Sequence, residues 1–503
     1  MKINLKIIQV VIGTVLYLVT NQYALAALTA PNLSAQVISQ SQINLSWTDN
    51  NVGVKSYELQ RSLQSSTGFA IIATVSGSIK SYNNTGLSAN TVYYYKIRAI
   101  KNRIGPFSST INAKTLATVT PPPPGVVLKT DYGVYPEPNL PIMGPAGSKV
   151  TDPTFGTQIL RLTDAGSGTT SCTVTYSTIP AFNKNNTRAY VRCSPYSVAH
   201  FYAFDSVNFS AGARTNLVSP PSGMYQYWML WSGINPDIIY GNNGYGIYSF
   251  NLATQSNTLI MNAEQHLLAG ERLNWQMSRS EDDNIFADSF NSGTTENAGY
   301  VVWRRSDNRV LLKQYGSGIN EVEIDKTGRY LAVNFDGGLE RIWDLSTNTY
   351  IDAGGVYGFY HRGMGRGTVF TGANYQNLGF RSLSSPLNIL KLLTDGVGMW
   401  SYAVQQDHFS LLADNEKWGL GSRYHINGLG VTKAFDNEIV QIATDGSKQV
   451  RRIAHHRSVF PTGGYTDAPM ANISRDGQFI AFTSNWGNSG RRDVYIVRIP
   501  PAP

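Results

Sequence analysis

Apolar and polar side chains alternate strictly in three early segments: Ile43-Asn44-Leu45-Ser46-Trp47, Ser56-Tyr57-Glu58-Leu59-Gln60-Arg61 and Tyr93-Tyr94-Tyr95-Lys96-Ile97-Arg98-Ala99. A period of two buries one face of a strand and wets the other, so each segment predicts a half-buried β-strand. The alternation stops at Thr118-Val119-Thr120-Pro121-Pro122-Pro123-Pro124-Gly125, where consecutive prolines predict a stiff extended linker. Beyond it, strand, polar turn, strand, loop and strand recur. One unit runs from Ile179 through Asn183-Lys184-Asn185-Asn186 to Val191. Another runs from Val322 through Lys326-Thr327-Gly328 to Val333 and Glu340–Leu345. A third runs from Ala471 through Arg475-Asp476-Gly477 to Phe482 and Asp493–Val497. Their turns carry Asn, Thr-Gly or Asp-Gly because a tight hairpin needs positive φ.

Looser copies fall at 225–260, 273–311, 358–392 and 400–453, and with an opening unit at 155–193 the count is seven. Repetition at this length predicts four-stranded blades arranged as a β-propeller. Composition agrees. Of 503 residues 15% are charged, below the roughly 25% usual in soluble domains, and Gly (47) and Tyr (29) are plentiful, which speaks against disorder, coiled coil and helical bundle. The predicted class is all-β, with a sandwich of residues 27–117, a linker of 118–125 and a seven-bladed propeller of 126–503.

The first 26 residues read as a secretion leader. Lys2 and Lys6 precede the apolar run Ile7–Val19, and Ala24-Leu25-Ala26 offers a cleavage site before Ala27. No second apolar stretch approaches spanning length, so the expectation is a secreted protein, with the periplasm as the alternative. Export gives Cys172 and Cys193 meaning, because an oxidising compartment favours joining them, here across a hairpin between strands at 173–179 and 188–191. Losing Lys2 and Lys6 lowers the net charge from +8 to +6. Spread over so long a chain, this is a mild bias toward an anionic partner such as acidic polysaccharide. Basic residues form no stripe of the kind nucleic acid requires.

Ala30-Pro31, Trp47 and the corner Leu87…Thr91-Val92-Tyr93-Tyr94-Tyr95-Lys96-Ile97-Arg98-Ala99 make residues 28–117 resemble a fibronectin type III domain. Without an Arg-Gly-Asp tripeptide, the resemblance implies a spacer or weak binding module rather than integrin binding. The Ser474-Arg475-Asp476-Gly477 unit and its counterparts resemble the repeats of TolB-like β-propellers, which implies fold far more than function.

The sharp catalytic signatures are missing: no Gly-Lys-Ser/Thr phosphate loop, no His-Glu-x-x-His, no calcium loop, no Gly-x-Ser-x-Gly elbow. The candidate chemistry lies in Tyr360-His361-Arg362-Gly363-Met364-Gly365-Arg366, in Arg423-Tyr424-His425, in His408, and in Ala454-His455-His456-Arg457. Meeting at a channel mouth, Tyr360, His361, His455 and Arg457 would supply proton transfer, and Arg362, Arg366, His408, Tyr424, His425 and His456 would hold ligand. Arg can grip a uronate carboxylate, and His or Tyr can move a proton at neutral pH. Oligogalacturonate and ulvan lyases are seven-bladed propellers of similar chemistry. The histidine loop before Ser474-Arg475-Asp476-Gly477 resembles the oligogalacturonate group, which implies β-elimination and a possible divalent metal. His455 and His456 are adjacent, so in an extended segment they face opposite ways, and no metal ligand carries over. His200 reads as packing, His266 as surface, and Trp228, Trp231, Trp275 and Trp303 as blade core. The favoured function is recognition of an extracellular polymer, an anionic polysaccharide, through the propeller's loop face, with a uronate-cleaving lyase and a platform for an envelope protein as alternatives.

Overall fold

Alternation in residues 43–99 produces two facing sheets. The computed structural model describes residues 27–39, 41–115, 126–167, 171–194, 198–353, 360–373, 377–394, 407–423, 433–459 and 465–500. The leader 1–26, the linker 118–125, Tyr424 and His425 lie outside them. Strands Asn32–Ser39, Gln42–Thr48 and Ser81–Asn84 form one sheet. Ala70–Ser76, Ser56–Ser62 and Val92–Ile100 form the other, with Ile104–Phe107 and Ile111–Lys114 also paired to Val92–Ile100. Tyr93, Tyr95, Ile97 and Ala99 are buried and pack with Trp47, Tyr57 and Leu59, while the residues between them are half-buried. The corner is fastened by Ser88, whose backbone N–H donates to the Tyr93 hydroxyl at 2.8 Å.

The chain divides into two compact units, Met1–Thr118 and Val119–Pro503. The described residues of the second form seven sheets of four or five strands, the blades of a propeller. From the channel outward, blade one is Cys172–Thr173, Arg188–Cys193, Val198–Asp205 and Ser210–Thr215. Blade two starts at Leu230–Trp231, blade three at Glu271–Leu273 and Ser278–Arg279, and blade four at Ile319–Ile324. Blades five, six and seven start at Tyr360–Met364, Asp407–Ser410 and Asn472–Ile473. Two expectations need correction. The segment 155–161 does not open the first blade, because Gln158–Arg161 pairs with Asp493–Arg498 and closes the seventh. Pairing the two ends of the unit in one sheet removes the free edges a row of blades would leave. The innermost strand of blade one also stops at Thr173 rather than continuing to 179, since the Val174 N–H turns away to the Thr483 hydroxyl.

Cys172 and Cys193 sit opposite each other in the ladder of blade one and are joined. The polar turns behave as their composition requires. Asn186 takes φ 53°, and the Asn183 carbonyl oxygen of the side chain accepts from the Thr187 and Arg188 N–H groups. Gly328 takes φ 76°, and a Cβ there would come within 2.8 Å of Ile285, so both backbone and space exclude larger residues.

Candidate functional site

Each blade presents its innermost strand, or the chain flanking it, to a central channel. Thr178, Trp228, Gln276, Glu321, Gly363, Leu411 and Arg475, one from each blade, line a cavity of about 110 Å³. Most of its wall is apolar, from residues such as Ile179, Leu230, Met277, Val322 and Leu412. Beyond the C-terminal ends of the inner strands the wall is charged. Arg366 holds Glu281 with two hydrogen bonds, at 2.9 and 2.6 Å, and reaches Asp414 at 3.2 Å. Arg475 binds the same Asp414 at 2.8 Å, and Lys326 binds Glu416 at 3.0 Å.

At the N-terminal ends of the inner strands of blades two, five and six, and in the chain that follows Thr173 and Leu273, the residues are aromatic. Ring centroids follow one another at 6.1 Å from Tyr225 to Tyr227, 5.9 Å to Trp275, 5.0 Å to Trp228, 5.9 Å to Tyr176, 5.4 Å to His408 and 4.5 Å to His361. The row thus passes from blades two and three through blade one to blades six and five. Tyr225, Tyr227, Trp228, Trp275 and His361 are half-buried, while Tyr176 and His408 lie beneath the surface. The Trp228 indole N–H donates to the Met277 carbonyl at 3.0 Å, which fixes the ring, and the Tyr176 hydroxyl donates to Glu321 at 3.2 Å.

A bulge separates the jobs of two neighbouring residues. The pairing of Tyr360–Met364 with Thr368–Ala373 shifts register between Tyr360 and Gly363, and His361 takes φ 41°. A bulge re-aims the side chains it contains, and positive φ in a non-glycine residue stores strain. Here His361 stacks on His408 with ring planes 7° apart, while Arg362 turns inward, fully buried. Burial, and then the nearby His361, hold the His408 imidazole well below the usual histidine range, so it is neutral at pH 7.

Arg362 is surrounded by carboxylates: Glu323 at 2.6 Å, Glu340 at 2.8 Å and Glu321 at 3.7 Å. Burial opposes its charge, but the three glutamates outweigh that and keep it protonated. Burial in turn pushes Glu340 up to about 7 against the pull of Arg362, and raises Glu323 as well. Expected to hold a ligand, Arg362 is therefore engaged within the protein, as Arg366 is at the other end of the channel.

His455, His456 and Arg457 lie elsewhere, where the outermost strand of blade six ends. His455 is fully buried, its ring 4.8 Å from Phe155 and its Nδ1 3.4 Å from Asp152. Arg457, at φ 60°, lies 3.5 Å from Asp152 and 3.5 Å from Glu137 and donates to the Pro138 carbonyl at 2.9 Å. Burial disfavours the charge of Asp152, yet the hydrogen bonds and charges of His455 and Arg457 prevail and lower its pKa. The Nδ1 of His456 accepts from the Ser458 N–H at 3.0 Å, so its Nε2 carries the proton and donates to the Arg423 carbonyl at 2.8 Å. Burial pushes this imidazole down to about 3. The structure thus brings His361 and His408 together and joins His455 to Arg457 through Asp152. Of Tyr360 only the backbone, in the inner strand of blade five, is described.

Residues 28–114 match the fibronectin type III domain. The fibronectin type III unit accounts for the sandwich alone. Among curated proteins, an amylopullulanase of Thermoanaerobacter thermohydrosulfuricus is 29% identical over 154 residues, which are 29% of this chain. The chain spans about a tenth of that relative's length. Among solved structures, an oligogalacturonate lyase in complex with manganese superposes with a TM-score of 0.53 at 12% identity, over 71% of this chain and 99% of that one. An oligogalacturonate lyase from Vibrio parahaemolyticus gives 0.52 at 9% identity, over 72% and 98%. At such identities the likeness shows the propeller fold.

The manganese in the first of those structures prompts a test of fit. Among the described residues, no group of three or more His, Cys, Asp or Glu side chains is placed to hold a metal ion. His361 and His408, with ring centroids 4.5 Å apart, are two ligands at most, short of the three protein ligands that an open metal site uses. Sequence reasoning also missed the aromatic row. Trp231 and Trp303 are core, 1% exposed each, whereas Trp228, which lines the cavity, and Trp275 beside it are half-buried. The available signal was the cluster Tyr225-Gln226-Tyr227-Trp228, with Trp275-Gln276 one blade later.

Proposed function

We propose that this is an exported polysaccharide-binding protein whose propeller holds a sugar polymer at the aromatic end of its channel. The observation that carries the reading is the row of rings from Tyr225 to His361, of which Tyr225, Tyr227, Trp228, Trp275 and His361 are half-buried and Tyr176 and His408 lie beneath them. Half-buried rings such as Trp228 and Trp275 can offer apolar faces to the C–H faces of sugars, with polar groups beside them for the hydroxyls. The fibronectin type III unit serves as a spacer. The joined Cys172–Cys193 pair fits an extracellular or periplasmic location, and no described helix is long and apolar enough to cross a membrane.

The test is affinity electrophoresis of the full chain in gels containing soluble polysaccharides. Trp228→Ala and Trp275→Ala should each weaken retardation about tenfold, the equivalent of one lost ring contact of about 1.4 kcal/mol. Retardation by a polymer that both variants retain unchanged places binding elsewhere and ends this reading.

One observation supports a second reading, β-elimination of a uronate polymer. His408, neutral through burial, stacks on His361 and meets the Tyr176 ring, which sets one base-form imidazole beside a second imidazole and a phenol. The assay is ultraviolet absorbance from unsaturated sugar ends, with His361→Ala and His408→Ala as controls. If no uronate polymer yields such ends, this second reading falls.

A further inference from the structure

We infer that the sugar held at this channel is uncharged, a hydroxyl-bearing glycan without carboxylate or sulfate groups. The inference rests on the proposed polysaccharide recognition and adds the ligand's chemical class.

Charge on the wall carries it first. Three cations line the cavity, and each already has a carboxylate: Arg279 has Asp283 at 3.2 Å, Lys326 has Glu416 at 3.0 Å and Arg475 has Asp414 at 2.8 Å. Against them stand four lining acids, Glu281, Glu321, Glu323 and Asp414. Arg362, just behind Glu321 and Glu323, is shared among three glutamates. An incoming uronate carboxylate would be a further anion where each described lining cation is engaged, and it would have to displace an existing carboxylate partner to gain a salt bridge.

Hydrogen-bond polarity points the same way. Gln276 lines the cavity and is 8% exposed, and its side-chain carbonyl oxygen is buried with no donor among the described residues. A buried acceptor left without a donor is costly, so the site is complete only when something donates to it. A sugar hydroxyl can donate, and a neutral sugar has a donor hydroxyl at the position where a uronate has a carboxylate that only accepts. Glu321 and Glu323 likewise present acceptors to hydroxyls. The apolar wall and half-buried tryptophans suit the C–H faces of the same sugar.

The experiment compares polymers of matched length in the same gels. Neutral glucan, xylan and galactomannan are set beside polygalacturonate and alginate, with chitosan as the cationic arm. Retardation is expected from at least one neutral polymer, at least about tenfold stronger than from any charged one. Gln276→Leu, which removes the orphaned acceptor, should weaken it while near-ultraviolet circular dichroism stays that of wild type. Stronger retardation by a uronate polymer or by chitosan overturns the uncharged class and leaves polysaccharide recognition standing. Absence of retardation by every polymer overturns both. Because the wild-type panel alone decides the class, a variant that fails to fold does not rescue it.

Discussion

His456 gives the sharpest test of the buried electrostatics. Its imidazole is fully buried, makes both of its hydrogen bonds to backbone, and has a pKa held down to about 3 against an ordinary 6.5. The sign follows from linkage. Below pH 6.5 the unfolded chain binds a proton here that the folded chain refuses, so stability is lost as pH falls from 6.5 toward 3. Between pH 7 and pH 5 the loss comes to about 2 kcal/mol. Glu340 works the other way over the same interval, because a carboxyl held at about 7 in the folded state takes up its proton before the unfolded chain does. Its contribution is also about 2 kcal/mol, so the pH profile of the whole protein hides both effects. The difference between wild type and His456→Gln isolates one of them. Urea unfolding should be followed by tryptophan fluorescence, since Trp47 is the one tryptophan of the first unit. The stability advantage of wild type over His456→Gln should shrink by about 2 kcal/mol from pH 7 to pH 5. An advantage constant within about 0.5 kcal/mol would mean that His456 titrates normally and is not the sealed, neutral group its hydrogen bonds describe.

Other consequences are as direct. Replacing Cys172 and Cys193 together by Ala opens a link across 21 positions, which should cost the propeller about 3 kcal/mol and lower its urea midpoint. Arg362→Met leaves Glu321, Glu323 and Glu340 facing one another. A loss of about 3–5 kcal/mol is expected at pH 7, smaller at pH 5 where the raised glutamates take up protons. Trp231→Ala, in the core against Phe201, should cost about 3–5 kcal/mol. Trp228→Ala should cost less stability and weaken polymer retention about tenfold instead, which thermal melts and affinity gels separate.

The blades were legible because their causes are local. A period of two and a turn needing positive φ leave marks within a dozen residues, as at Asn186, Gly328 and Gly477. The closing pair of Gln158–Arg161 with Asp493–Arg498 has no such mark, since nothing in either segment names a partner at the far end of the unit. Ala454-His455-His456-Arg457 misled for a related reason. Its basic side chains looked like an exposed loop, but the segment that carries Glu137, Asp152 and Phe155 covers it and supplies the opposite charges. His361 beside Arg362 read as one basic motif, and a single bulge divides them between the aromatic row and the glutamate cluster.

A net charge of +8 and the charge of a binding surface are different quantities, and this protein separates them. Long-range steering follows the sum of all charges and fades beyond a Debye length of about 8 Å at physiological salt. What a bound sugar meets depends instead on which charges nearby are uncommitted. Arg279, Lys326, Arg362 and Arg475 all add to the total, yet each sits against a carboxylate held by another turn or another blade. Arg279–Asp283 lies within blade three, while the other pairs tie blade four to blades five and six and blade six to blade seven, so their work is to hold the blades together. What remains open toward the cavity is the Gln276 oxygen, the glutamate oxygens and the faces of the rings. A sequence read by its net charge therefore points to an acidic polymer, while the same cations, once placed, motivate the proposal of an uncharged one.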